Sequence, residues 1–236
     1  MFFNPLRSKS RIEKKSIMMP ALILVLFCAV CYLLFLESSL PGNILQKALM
    51  HMENEVQLLD VVIQEEGEDY KVNFEGNFLG NGVLYGKITD FDLELYGTES
   101  GALLVKDLKD GCWKESSKLG LQSLTTFFVS PLDFLETCGP LFPKAVFLDH
   151  AGETNTLVSL QIPSAFLKET ELDKINSIDN EVIVDCLVSV NQENLFIDAV
   201  ILSFVDKNTH KELFKRSFSF QPLDKSKIKT IYSSQL

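Results

Sequence analysis

The stretch EDYKVNFEGNFLGNGVLYGKITDFDLELYG (68–97) decides the fold. Its first part, Glu68–Phe78, alternates strictly: Tyr70, Val72 and Phe74 fall on one side, Lys71, Asn73 and Glu75 on the other. A period of two is the signature of a strand with one buried and one wet face. Asn81-Gly82 then supplies the residue pair that a tight hairpin turn favours, so VLYGKIT returns antiparallel. FDLELYG (91–97) alternates again, which predicts Phe91, Leu93 and Leu95 facing inward, while Asp90, Asp92 and Glu94 share the opposite face.

The same period runs outward in both directions. VQLLDVVIQ (56–64), ALLVKD (102–107), KAVFLDH (144–150) and NTLVSLQIP (155–163) read as strands, and three long ones close the domain at 181–190, 194–206 and 210–220. Helical spacing interrupts them in three places. In NILQKALMHMENEV (43–56), Ile44, Leu45, Ala48, Leu49, Met52 and Val56 make one apolar face, with Asn43 as the expected N-cap. A strongly apolar insert, 119–142, contains Ser130-Pro131 and Asp133, an N-cap, a first-turn proline and a first-turn acid. Gly139-Pro140 should stop that helix, and Pro163-Ser164 should open another through about residue 175. The fold class is α+β: an antiparallel meander of about nine strands whose apolar faces need cover from these helices.

The amino terminus differs from everything after it. Arg7, Lys9, Arg11, Lys14 and Lys15 precede Ile17–Leu36, twenty residues without a charge. A helix of that length spans about 30 Å, the thickness of a bilayer core. The basic flank predicts a cytoplasmic amino terminus. No small-residue cleavage pattern follows the apolar run, so the expectation is an uncleaved signal anchor. The implied organisation is a basic cytoplasmic tail (1–16), a transmembrane anchor (17–36), a short linker (37–42), an extracytoplasmic domain (43–221) and a polar tail (222–236). The tail and anchor hold five of the 22 Lys and Arg and one of the 32 Asp and Glu, leaving a formal charge of −14 for the remainder. That balance excludes bulk electrostatic binding to nucleic acid or to an anionic membrane surface. The absence of any N-x-[ST] sequon fits a bacterial envelope.

Motifs that suggest chemistry mostly dissolve on inspection. DGCWKESS (110–117) sets Cys112 beside the only tryptophan, but Asp110 and Glu115 offset Lys114 and the segment starts a strand rather than a helix, so a reactive thiol is not expected. Trp113 is expected to pack into the sheet. GNFLGNG (76–82) lacks the Gly-Lys-[Ser/Thr] ending of a phosphate loop and leads into a strand. Asp90, Asp92 and Glu94 read as a solvated strand face rather than a cation site. His51 lies one helical turn from Glu55, a pair that falls short of a metal set. Ser226–Lys229 matches S-x-x-K in form only, and G-x-S-x-G does not occur. Cys28 and Cys31 fall within the apolar span. Cys112, Cys138 and Cys186 remain, with Cys186 reading as core and Cys112–Cys138 as the pairing to expect if a bridge forms. No catalytic residue, metal site or cofactor is expected, and the chain reads as a non-enzyme.

The order of elements, together with GNFLGNGVLYGKITD, the DGCW turn, SPLDFL and SLQIPSAFL, resembles the LolA-like superfamily over about residues 43–220. That superfamily comprises lipoprotein carriers and mycobacterial lipid-binding lipoproteins. The resemblance implies a curved, unclosed antiparallel sheet, a half-barrel, wrapping a few helices around an apolar cavity for acyl chains. On this chain the cavity would be lined by Phe74, Phe78, Phe91, Leu93, Leu95, Trp113, Val158 and Leu160, with Phe127, Phe128 and Phe134 of the insert as plug or lid. The partner would be a lipid, acyl chain or lipoprotein. The membrane anchor departs from a freely diffusing carrier. A different class of function stays open: an assembly module with a closed core, docking an envelope protein.

Overall fold

The computed structural model describes residues 23–24, 26–28, 39–55, 58–79, 83–98, 102–121, 124–128, 130–148, 154–166 and 182–223. It is organised by one antiparallel sheet of eleven strands. In chain order these are β1 (Leu58–Gly67), β2 (Lys71–Leu79), β3 (Leu84–Ile88), β4 (Leu93–Gly97), β5 (Leu103–Lys106), β6 (Trp113–Glu115), β7 (Val146–Leu148), β8 (Asn155–Pro163), β9 (Val182–Asn191), β10 (Ile197–Asp206) and β11 (Glu212–Pro222). The spatial order is β6-β5-β4-β3-β2-β1-β11-β10-β9-β8-β7, so the sheet is unclosed, with β6 and β7 at its edges. The chain lays down one half as a meander outward from β1. It then crosses through a helical insert and lays down the other half inward, ending with β11 against β1.

Register turns the sequence alternation into two faces. One row runs Val158, Val188, Val200, Phe218, Ile63, Phe74, Ile88 and Leu93 across eight strands. All of these except Leu93 are at most 1% exposed, and they form the inner face. Helix α1 (Pro41–Glu55) packs against β7 to β10 through Leu45, Ala48, Leu49 and Met52, all buried. It starts two residues before the expected N-cap. Pro41 occupies the first helical position, where its missing N–H costs nothing, and the Leu40 carbonyl accepts from the Asn43 and Ile44 N–H groups. Gly42 lets that first turn lie directly on the carbonyl of Phe142.

The insert provides α2 (Leu124–Phe127), α3 (Pro131–Thr137) and a 3-10 turn (Gly139–Lys144). Ser130 caps α3 as expected: its Oγ accepts from the Asp133 N–H at 3.3 Å. Gly139-Pro140 ends the helix by opening the 3-10 turn. Phe134, Leu135, Cys138, Leu141 and Phe142 all enter the core.

Three expectations change. Phe91 lies in a 3-10 turn (Thr89–Phe91), not in a strand, and is 62% exposed. Asp92 follows with a left-handed φ of 54°, which breaks the alternation before β4 begins. Trp113 does not pack into the core. It stands 41% exposed on the outer face of edge strand β6, edge-on to Tyr96 at 6.3 Å. Cys112 is exposed and Cys138 is buried, and no disulfide joins the two. The Asn81-Gly82 turn, residues 167–175 and the tail beyond 223 lie outside the described residues. So does most of the apolar span, of which Ile23, Leu24, Leu26, Phe27 and Cys28 are helical and exposed. No helix among the described residues is long and apolar enough to cross a membrane.

Candidate functional site

The inner face is the region the sequence nominates, and its geometry centres on Phe74. Gly76 and Gly86 sit on neighbouring strands of the inner face, and Phe74 lies over both. A Cβ at either glycine would run into that ring. The two glycines therefore make a flat bed that only a bare backbone provides. From the other side Phe128, in the insert, meets Phe74 edge to face, with centroids 4.9 Å apart and planes at 73°. The insert thus reaches β2 through a ring-on-ring contact.

Of the residues expected to line a cavity, Phe74, Leu95, Phe134, Val158 and Leu160 are buried on the inner side. Phe78, Leu93 and Phe128 pack partly buried against the same core. The side chain of Phe127 lies outside the described residues. Phe91 and Trp113 stand apart from this group, for the reasons given above.

One inner-face feature was not nominated. Arg216, 1% exposed, donates from Nε (2.8 Å) and Nη2 (2.6 Å) to Oε2 of Glu65, which is 2% exposed. The Tyr70 hydroxyl donates to the other oxygen, Oε1, at 2.9 Å. Burial, and then the Glu65 carboxylate, push the Tyr70 hydroxyl above its ordinary value, so it stays a donor. The pair is cross-strand on β1 and β11. The signal was available: Arg216 shares the parity of Phe214, Phe218 and Phe220, and Glu65 that of Val61 and Ile63. Two opposite charges at core positions of separate strands point to each other.

The remaining candidates are structural. Asp90 accepts from the Asn73 N–H (2.6 Å) and Nδ2, Asp92 pairs with Lys87, and Glu94 with Lys106 at 2.9 Å. The three carboxylates face separate partners rather than one site. DGCWKESS resolves into a hairpin loop: the Gly111 N–H donates to the Asp107 carbonyl with φ at +70°. Lys114 bridges Asp107 (2.5 Å) and Asp110 (2.7 Å). Burial raises the Cys186 thiol, which suits an inert core cysteine. Among the described residues no group of three His, Cys, Asp or Glu could hold a metal ion.

No family model and no curated protein matches this sequence. Solved structures with a similar course include the lipoprotein LppX of Mycobacterium tuberculosis. It is 9% identical, with a TM-score of 0.45 over 76% of this chain and 95% of that one. Pseudomonas aeruginosa MucB, solved with MucA, is 9% identical, with a TM-score of 0.35 over 80% and 60%. A DUF1329 family protein of Desulfovibrio piger is 8% identical, with a TM-score of 0.31 over 78% and 92%. At this identity, and with each TM-score below 0.5, the likeness carries nothing about family, ligand or partner.

Proposed function

We propose that the chain is a membrane-tethered extracytoplasmic binding protein that holds a lipid or acyl chain between the inner face and the insert, without covalent chemistry. The observation that carries this reading is the Phe74–Phe128 contact over Gly76 and Gly86. An acyl chain is an apolar, flexible rod, and the side of the Phe74 ring facing away from its glycine bed would accept one in place of the Phe128 ring. Helices of four and seven residues have little stability of their own, so the insert depends on such contacts and can exchange them. Each buried methylene would contribute about 0.8 kcal/mol, so a chain of a dozen carbons offsets the cost of displacing one aromatic ring. Anchorage through 17–36, with the amino terminus cytoplasmic, would hold the domain at the bilayer that supplies such ligands.

Complete burial of Phe74, Leu95 and Val158 favours a second reading, an assembly module with a permanently closed core. Native mass spectrometry of the full chain in detergent, with lipid extraction, separates the two. The binding reading expects a co-purifying lipid of defined mass, lost in Phe74→Asp. A bare mass, unchanged after incubation with phospholipid or fatty acid, selects the assembly module.

A further inference from the structure

The sheet has two open edges, and they differ in chemistry. At β6 the three residues are Trp113, Lys114 and Glu115, and Lys114 is held by Asp107 and Asp110 of its own hairpin loop. Charges on an edge strand are the ordinary guard against pairing with another chain. At β7 the three residues are Val146, Phe147 and Leu148, with no charge among them. They are 53%, 42% and 43% exposed. On one side β7 pairs with β8, and among the described residues no strand pairs with the other side. That side presents main-chain N–H and C=O groups beside three apolar side chains.

Register shows how this run joins the rest of the sheet. On the inner face, Val200, Val188, Val158 and Phe147 form one row across β10, β9, β8 and β7. The three valines are 0% exposed, and Phe147 is exposed because the row stops at it. On the outer face, Leu148 lies beside Leu157 and Val146 beside Ser159. A strand that continues both rows must be apolar on both faces and carry no charge opposite the run. The sequence of β7 itself meets that requirement, because its aliphatic–aromatic–aliphatic order reads the same in both directions. Laid antiparallel on a second copy about Phe147, it sets Phe147 against Phe147 and Val146 against Leu148, both favourable cross-strand pairs. The inner row then runs from Val158 through both phenyl rings to the second copy's Val158 without a break. Such a contact is isologous and uses both β7 edges, so it closes at two copies. Pairing of β7 on β6 would run on into a fibre, and the charges of β6 oppose it.

We propose that β7 is a dimerisation edge: two copies of the chain pair antiparallel through Val146–Leu148 and join their sheets into one. The net charge of −10 per chain opposes the contact at long range, so added salt should tighten it. This inference stands independently of what the inner face holds and of whether the chain is tethered.

The test is sedimentation velocity of the full chain in detergent over a concentration series, where a monomer–dimer equilibrium is expected. Val146→Lys/Leu148→Lys sets lysine against lysine across the two-fold and should weaken the dimer at least tenfold. Val146→Lys/Leu148→Glu sets lysine against glutamate at both contacts and should dimerise more tightly than the double-lysine variant. In a parallel pairing the same variant would set like charges together and gain nothing. Both positions are exposed, and an unchanged circular dichroism spectrum separates loss of pairing from misfolding. Three results overturn the proposal: a monomer at every concentration, a dimer that withstands the double lysine, or equal weakening in the two variants.

Discussion

The inner face is one surface with two kinds of cover. Over β7 to β10 lies α1, fifteen residues in a single amphipathic helix with four buried apolar side chains. At β2 the cover is the start of the insert, where Phe128 follows a four-residue helix and meets Phe74. The seven-residue helix and the 3-10 turn after it pack on α1. A four-turn helix brings its own hydrogen-bond ladder, and its packing adds to an element that already has regular structure. A one-turn helix has almost no ladder and persists only through what it touches. Equal hydrophobicity on the sheet is therefore covered in two ways, by a regular helix over β7 to β10 and by a single-turn helix and its following ring at β2. Between them, on β1 and β11, sits the Glu65–Arg216 pair.

The largest expected effect comes from that boundary. Arg216→Met leaves Glu65 buried without its cation and should cost about 3–5 kcal/mol in urea denaturation. Arg216→Met with Glu65→Met should recover most of the loss, because no charge then remains buried. A double variant no better than the single would mean the pair does more than neutralise itself.

Next comes the direct contrast between covers. Leu45→Ala in α1 should cost about 2–5 kcal/mol, and Phe128→Ala, from a partly buried site, about 1–2 kcal/mol. Only the second should also speed proteolysis within 119–142. Equal costs with equal protease resistance would erase the distinction.

A smaller effect concerns pH. Asp198 falls at the register shift of β10, its Oδ2 is buried without a partner among the described residues, and burial raises its pKa above the ordinary 3.8. The folded state holds this proton more tightly than the unfolded state, so ionisation favours unfolding. Stability from this group is present below 3.8 and declines as pH rises from there through the raised folded value. Asp198→Asn should remove that decline and stabilise the protein at pH 7, read as melting temperature against pH. A steeper decline in the variant would contradict the assignment. Smallest of all, Trp113→Ala loses an edge-to-face contact on the outer face and should cost about 0.5–1.5 kcal/mol, with no change in ligand retention.

Much of this was legible before the structure. Strict alternation located the strands, because a period of two is fixed by backbone geometry. Ser130-Pro131-x-Asp133 located α3, because a cap is a local hydrogen bond. Errors arose where local rules compete. Phe91 keeps the parity of Leu93 and Leu95, but a left-handed Asp92 resets the chain between them, and no glycine marks that reversal. Trp113 follows a turn whose register decides its face, and a shift of one residue would have reversed it. Glu65 and Arg216 were legible in parity, yet their contact spans 151 positions and depends on β11 returning beside β1.

The proposed binding mode requires the β2 side of the inner face to open to a ligand while the α1-covered side stays closed. Hydrogen exchange of the full chain in nanodiscs, with and without added hexadecanoate, tests it most directly. The ligand should alter amide exchange in 119–138 and in β2 to β4, and leave β8 to β10 unchanged. A ligand-dependent change confined to β8–β10, or bound hexadecanoate with no change in the insert, would contradict it.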